Sequence, residues 1–253
     1  MQEQINGVLL NYEVSGPGED LLLLHGWGHD LHAWDQVVPE LEKKYRVWRL
    51  DLPGFGKSSL PGREWGLRQY AEVVGRFVQA HRLQDLILVG HSFGGRIAIL
   101  LASNQPRWLK QIVLIDSAGL IPKRTLKKFT VLILARVGSF LVRVLPRETK
   151  EKLSRRFRLL MGAEDYANAG FLEPIFLKIV RQDLASELKD ITVPTGIIWG
   201  EQDAITPLEQ ARRLERGIVG AKLVVLPGVG HVPFEENPSL FIIALRGLLN
   251  TPS

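Results

Sequence analysis

The stretch LILVGHSFGGRIAILLA, residues 86–102, constrains this chain more than any other. Leu86, Ile87, Leu88 and Val89 form an unbroken run of branched apolar side chains, the pattern of a strand covered on both faces. Ile97, Leu100 and Leu101 then recur at helical spacing. Between the two runs, Gly90, Gly94 and Gly95 leave almost no side-chain volume around Ser92. One glycine would mark an ordinary turn. Three around one serine predict a tight strand-to-helix corner on which the serine stands exposed, the G-x-S-x-G nucleophile elbow. The motif alone does not separate a nucleophile from a turn serine; a base, an acid and an oxyanion site must come from elsewhere.

The rest of the chain repeats the alternation of strand and helix. Strand-like runs are GVLLNYEVSG, LLLLHG, YRVWRLD, QIVLID, TGIIWG and AKLVVL. Helical patterns are expected from the WGHD loop to about Lys44, over about 66–82, from the elbow to Ser103, from about Pro207 to Glu215 and from about Pro238 to Leu249. Such alternation predicts an α/β fold with a mostly parallel sheet and helices on both faces. Catalytic groups then belong at the carboxyl ends of strands. His25 with Gly26, Asp51, Ser92, Asp116, Asp203 and His231 all stand at such ends.

Charge is uneven along the 253 residues. The net charge is +5, yet residues 121–160 carry twelve lysines and arginines, from Lys123 to Arg158, against only Glu148 and Glu151. This marks an insertion of its own composition. The expected organisation is a core of residues 1–119 and 191–253, with a helical, basic cap over 120–190. Cysteine is absent, which removes disulfides and thiolate metal sites and suits a reducing compartment. The N-terminal residues MQEQINGVLL lack a secretory pattern, and FTVLILARVGSFLVRVL is broken by Arg136 and Arg143, so a cytoplasmic location is expected. GFGKS at 54–58 imitates the end of a phosphate-binding loop, but that pattern needs glycine at position 51, which is Asp51.

Ser92, Asp203 and His231 follow one another in the order Ser, Asp, His. With HGWG at 25–28, GHSFGG at 90–95, GEQDAITP at 200–207 and GVGHVPFEENP at 228–238, the sequence resembles the α/β-hydrolase superfamily across nearly all of the chain outside the insertion. HGWG and DLPGFG also resemble the pimeloyl-ester carboxylesterases, although the insertion does not match theirs. The resemblance implies an α/β-hydrolase fold and a serine hydrolase. In that reading Ser92 attacks, His231 takes and returns the proton, and Asp203 orients the imidazole. By position, the main-chain N–H groups of Trp27 and Phe93 would bind the oxyanion. His25, Gly26, Gly28 and His91 would support these loops, and Asp116 is a reserve acid. No metal and no cofactor are expected.

Each residue also has a plainer reading: Ser92 as a turn, His231 as a satisfied loop histidine, Asp203 as a cap before Pro207. For the stretch 125–145, a core-facing stripe with a solvated basic face is the plain reading. Attraction of anionic substrates and weak contact with anionic lipid are the others. Nucleic acid is not an expected partner, since no recognisable module accompanies the basic run. The function expected is a carboxylesterase for small to medium acyl esters, lactones or thioesters, with a small-molecule ester as partner. A carbon–carbon bond hydrolase of the meta-cleavage type and a silent hydrolase-fold binding protein are the alternatives.

Overall fold

Four consecutive leucines, Leu21–Leu24, have no solvent exposure, and their alternation shows how the core is built. In the computed structural model, which describes residues 1–121 and 169–249, they lie in β3 (Glu19–Leu24) near the middle of an eight-stranded sheet. Side chains of a strand point alternately to opposite faces. Leu22 and Leu24 accordingly join one apolar cluster, Leu21 and Leu23 the other. The same split divides Leu86 and Leu88 from Ile87 and Val89, and Ile197 and Trp199 from Ile198. Each fully buried leucine contributes about 1.5–3 kcal/mol of transfer free energy.

The remaining strands are β1 (Gln2–Ile5), β2 (Val8–Ser15), β4 (Tyr45–Leu50), β5 (Leu86–His91), β6 (Leu109–Ile115), β7 (Thr195–Gly200) and β8 (Lys222–Leu226). Their order is β1-β2-β4-β3-β5-β6-β7-β8, antiparallel at β1/β2 and β2/β4 and parallel elsewhere. One face is covered by α2 (Leu67–Ala80), α3 (Phe93–Ser103) and α5 (Leu208–Gly217). The other is covered by α1 (Val38–Leu41), α6 (Pro233–Glu236) and α7 (Pro238–Leu249). Between β6 and β7, α4 (Ala169–Val180) buries Leu172, Ile175 and Ile179 in the same cluster as α2 and α3. The basic run Lys123–Arg158 and the amphipathic stretch 125–145 lie outside the described residues.

Two local expectations are corrected. The helix expected up to about Lys44 is only a single 3-10 turn (Leu31–Trp34) and the one-turn α1, because the chain must already enter β4 at Tyr45. β1, absent from the sequence reading, is a polar edge strand joined to β2 through Asn6 (φ 50) and Gly7 (φ 81). Asn-Gly is the residue pair that supplies positive φ in a two-residue hairpin, so the signal was present at INGV. No helix among the described residues is long and apolar enough to cross a membrane.

Candidate active site

Ser92 stands between β5 and α3 with φ 47 and ψ −103, a backbone conformation that L residues rarely adopt. The strain falls on the serine, whereas Gly90, Gly94 and Gly95 have no positive φ. Their role is close approach rather than turning: a Cβ at Gly94 would lie 2.4 Å from the Leu24 carbonyl oxygen, and one at Gly95 would lie 2.1 Å from Ser117 Oγ. The corner is fixed on both sides. Ser92 N–H donates to Ile115 O at 3.0 Å, and Ala118 N–H donates to Ser92 O at 3.1 Å.

The 25–28 loop is tied to this corner. Gly94 N–H donates to His25 O at 3.2 Å, and a Cβ on Gly26 would meet His91 Nδ1 at 2.7 Å and Ser92 Cβ at 3.4 Å. His25 is buried, accepts from Leu52 N–H at Nε2 (2.9 Å) and donates from Nδ1 to Gly26 O (2.7 Å). Burial holds its pKa down to about 4, so the ring is neutral and structural at neutral pH. Gly28, at φ 82, ends the loop. Trp27 is partly buried, with its ring 5.0 Å from Phe55, 5.2 Å from Phe93 and 5.0 Å from Phe176 of α4. Among the described residues, the main-chain N–H groups of Trp27 and Phe93 donate to no protein acceptor.

The other half of the site lies after β7 and β8. His231 Nδ1–H donates to Asp203 Oδ2 at 2.8 Å, which leaves Nε2 with a free lone pair. Both Asp203 oxygens are engaged: Oδ1 accepts from Ile205 N–H (2.7 Å) and Thr206 N–H (2.9 Å), and Oδ2 also accepts from the Thr206 hydroxyl. Burial raises its pKa, but the hydrogen bond and charge of His231, with Thr206 and Asp116, outweigh burial and hold the carboxyl below its usual value. Glu236 braces the histidine loop, its carboxylate accepting from Gly230 N–H at 2.7 Å and Val232 N–H at 3.0 Å.

His91 connects the two halves. Its Nε2–H donates to His231 O at 2.8 Å, and the two rings lie 4.9 Å apart. Burial first, then the neighbouring histidines, push its pKa well below the ordinary value, so it stays neutral. Asp116, expected as a reserve acid, does not hold His231; its Oδ1 accepts from Gly200 N–H at 2.9 Å. Burial first, then Asp203, raise its pKa to about 10, so it is a neutral acid at neutral pH. Among the described residues no hydrogen bond joins Ser92 Oγ to His231 Nε2; such contacts commonly tighten only when substrate is bound.

Ligand atoms of Asp116, Asp203 and His231 lie within 4.8 Å of one another, a spacing compatible with a cation. The donor set speaks against one, because four N–H and O–H donors already occupy the Asp203 oxygens. Asp51 accepts from Leu31 N–H, Asn11 Nδ2 and Lys57 N–H, which fixes the loop after β4 in place of any phosphate-binding role. Thr206, Phe176 and Glu236 were not singled out from sequence. Thr206 and Glu236 lie inside the quoted GEQDAITP and GVGHVPFEENP motifs, at short offsets from Asp203 and His231, which is the signal that could have found them.

A profile described as "Alpha/beta hydrolase family" matches residues 21–244. A pimeloyl-[acyl-carrier protein] methyl ester esterase of Nitrosomonas europaea is 31% identical over 94% of this chain and 99% of its own length. A solved hydrolase of Pseudomonas aeruginosa superposes with a TM-score of 0.78 at 26% identity, covering 99% of this chain and 98% of that one. A meta-cleavage product hydrolase of Pseudomonas fluorescens shares the fold, with a TM-score of 0.76 at 24% identity over 99% of this chain and 97% of its own. With its sheet order, its strained serine corner and a profile match running from β3 into the last helix, the chain belongs to the alpha/beta hydrolase family.

Proposed function

We propose that the protein is a carboxylesterase that works through an acyl-enzyme on Ser92. The observation that carries this reading is the His231–Asp203 hydrogen bond, which fixes the imidazole tautomer with Nε2 as the free base. Ser92 Oγ attacks the ester carbonyl while His231 Nε2 takes its proton, and Asp203 stabilises the imidazolium that forms. The carbonyl oxygen becomes an oxyanion between the Trp27 and Phe93 N–H groups, donors with no partner to give up among the described residues. His231 then protonates the leaving alcohol. Water, deprotonated by the same imidazole, attacks the acyl-enzyme and releases the acid.

The relatives direct the substrate toward methyl esters of medium-length acyl chains, since the Nitrosomonas europaea protein is named for a pimeloyl methyl ester held on acyl-carrier protein. The twelve basic residues of 121–160 suit an anionic substrate or carrier by charge. The carbon–carbon reading draws only on a neighbour that shares the fold. Expected is turnover of p-nitrophenyl esters from acetate to decanoate and of a dicarboxylate methyl half-ester, with Ser92→Ala lowering kcat about 10⁵–10⁶-fold. Equal turnover by wild type and variant would sink the esterase reading.

A further inference from the structure

At the end of β6, a second acid faces the one that holds the histidine. Asp116 has no solvent exposure and a strained backbone (φ 40), and it is locked from both sides: its N–H donates to Ile198 O at 3.0 Å and its Oδ1 accepts from Gly200 N–H at 2.9 Å. Its Oδ2 is buried and, as a carboxylate, without a partner. The polar groups nearby do not provide a donor for it. Asp203 is an acceptor, the Thr206 hydroxyl donates to Asp203, and the Nδ1–H of His231 is likewise committed to Asp203. Two carboxylates cannot bond without a proton between them, and a buried unsatisfied oxygen is costly.

We propose that Asp116 is a positioning residue that carries a proton on Oδ2 and donates it, as a hydrogen bond, to the Asp203 carboxylate, so that the buried pair holds one negative charge rather than two. The proposal rests on the Ser92–His231–Asp203 reading for its catalytic consequence, but the proton itself does not. The electrostatics agree with this geometry: burial first and then Asp203 raise Asp116, whereas Asp203 is held low against its own burial by His231 first, with Thr206 and Asp116 adding to it. The consequence is chemical. With one charge, Asp203 orients His231 and stabilises its cation during the reaction. With two, the same pocket would hold the imidazole protonated and remove the base that Ser92 requires. Glu236, the remaining acid that acts on Asp116 through space, adds to the pressure that keeps Asp116 neutral.

The test has two independent readouts. In infrared difference spectra of wild type minus Asp116→Asn near pH 8, a protonated-carboxyl C=O band is expected; an ionised-carboxylate band in its place would overturn the proposal. This readout is unaffected if Ser92 is not a nucleophile, a failure that Ser92→Ala would reveal by itself. In ester hydrolysis, Asp116→Asn keeps both the acceptor for Gly200 and a donor for Asp203, and should hold kcat within about fivefold of wild type. Asp116→Ala loses the donor and should lower kcat about tenfold or more with KM little changed. Equal kcat for the two variants would overturn the positioning role. If Asp116→Ala does not fold, the infrared band decides.

Discussion

The two halves of the site use hydrogen bonds in opposite ways. Around Asp203 both carboxylate oxygens are occupied, by donors from Ile205, Thr206 and His231. Around Ser92 the donors are left unspent: the Trp27 and Phe93 N–H groups donate to nothing in the protein among the described residues. On the proposed mechanism, the difference follows from what each half would do. A base must enter the reaction with its tautomer already set, so its supports are permanent. An oxyanion exists only during the reaction, so its donors gain most when they are fixed in place and unoccupied beforehand. Holding the corner fixed costs backbone strain at Ser92 and depends on the close approach that only glycine allows at Gly94 and Gly95.

Breaking the occupied half should have the largest effect. Asp203→Asn substitutes a side chain that can donate to His231 Nδ1, which favours the tautomer with its proton on Nε2 and so removes the base. A fall of about 10⁴-fold in kcat is expected, measured on a p-nitrophenyl ester at neutral pH. A fall of less than about tenfold would mean that Asp203 does not set the imidazole.

A pH scan sharpens the same comparison through stability. His25, held down to about 4, and His91, held well below its ordinary value, bind fewer protons folded than unfolded. Their contribution is complete above pH 6.5 and is lost as pH falls toward 4, on the order of 2 kcal/mol from His25 by pH 5. Asp116, raised to about 10, works in the opposite sense: the folded state holds its proton from about pH 4 to about 10, so stability declines as pH rises across that window. Thermal unfolding should therefore show Tm falling below pH 6.5, with His25→Asn flattening that limb and Asp116→Asn flattening the alkaline one. Equal loss of Tm between pH 6.5 and 5 in wild type and His25→Asn would contradict the burial argument for His25.

Much of this arrangement was legible in sequence because it is local. The elbow needs glycines within three residues of Ser92, and the strand ends of a parallel sheet announce themselves by composition, so Ser92, Asp203 and His231 could each be placed without knowing the others' coordinates. What was not legible depends on contacts across long chain separations. Chain order favoured Asp203 and left Asp116 in reserve, but no letter pattern records that the ends of β6 and β7 bring the two acids together, one accepting from Gly200 and the other from His231. Phe176 meets Trp27 across 149 positions, and no periodicity records that pairing. β1 was missed for a different reason: four mostly polar residues at a sheet edge carry no burial pattern.

Within the occupied half, Thr206 offers a smaller probe. Its hydroxyl donates to Asp203 Oδ2 and lies 3.1 Å from Asp116 O, while its main chain donates to Asp203 Oδ1. Thr206→Val keeps the shape and the main-chain bond and removes one charge-assisted hydrogen bond. A fall of about tenfold in kcat, with KM unchanged, is expected from steady-state kinetics. A larger change in KM than in kcat would place Thr206 in substrate binding instead.

The smallest effect on chemistry is expected where the open half meets α4. Phe176 packs 5.0 Å from Trp27, whose ring also meets Phe55 and Phe93, so an aromatic wall stands beside the 25–28 loop without providing any of the proposed oxyanion donors. Phe176→Ala removes part of that wall and leaves the main-chain N–H groups of Trp27 and Phe93 untouched. For p-nitrophenyl acetate, with the shortest acyl group, kcat/KM should stay within about threefold of wild type. For the decanoate, loss of apolar contact should raise KM about tenfold while kcat changes little, since contacts made equally in ground and transition states act on KM alone. If instead kcat for acetate falls as steeply as for decanoate, the ring is holding Trp27 N–H in place. The division between a fixed oxyanion loop and an adjustable acyl wall would then have to be withdrawn.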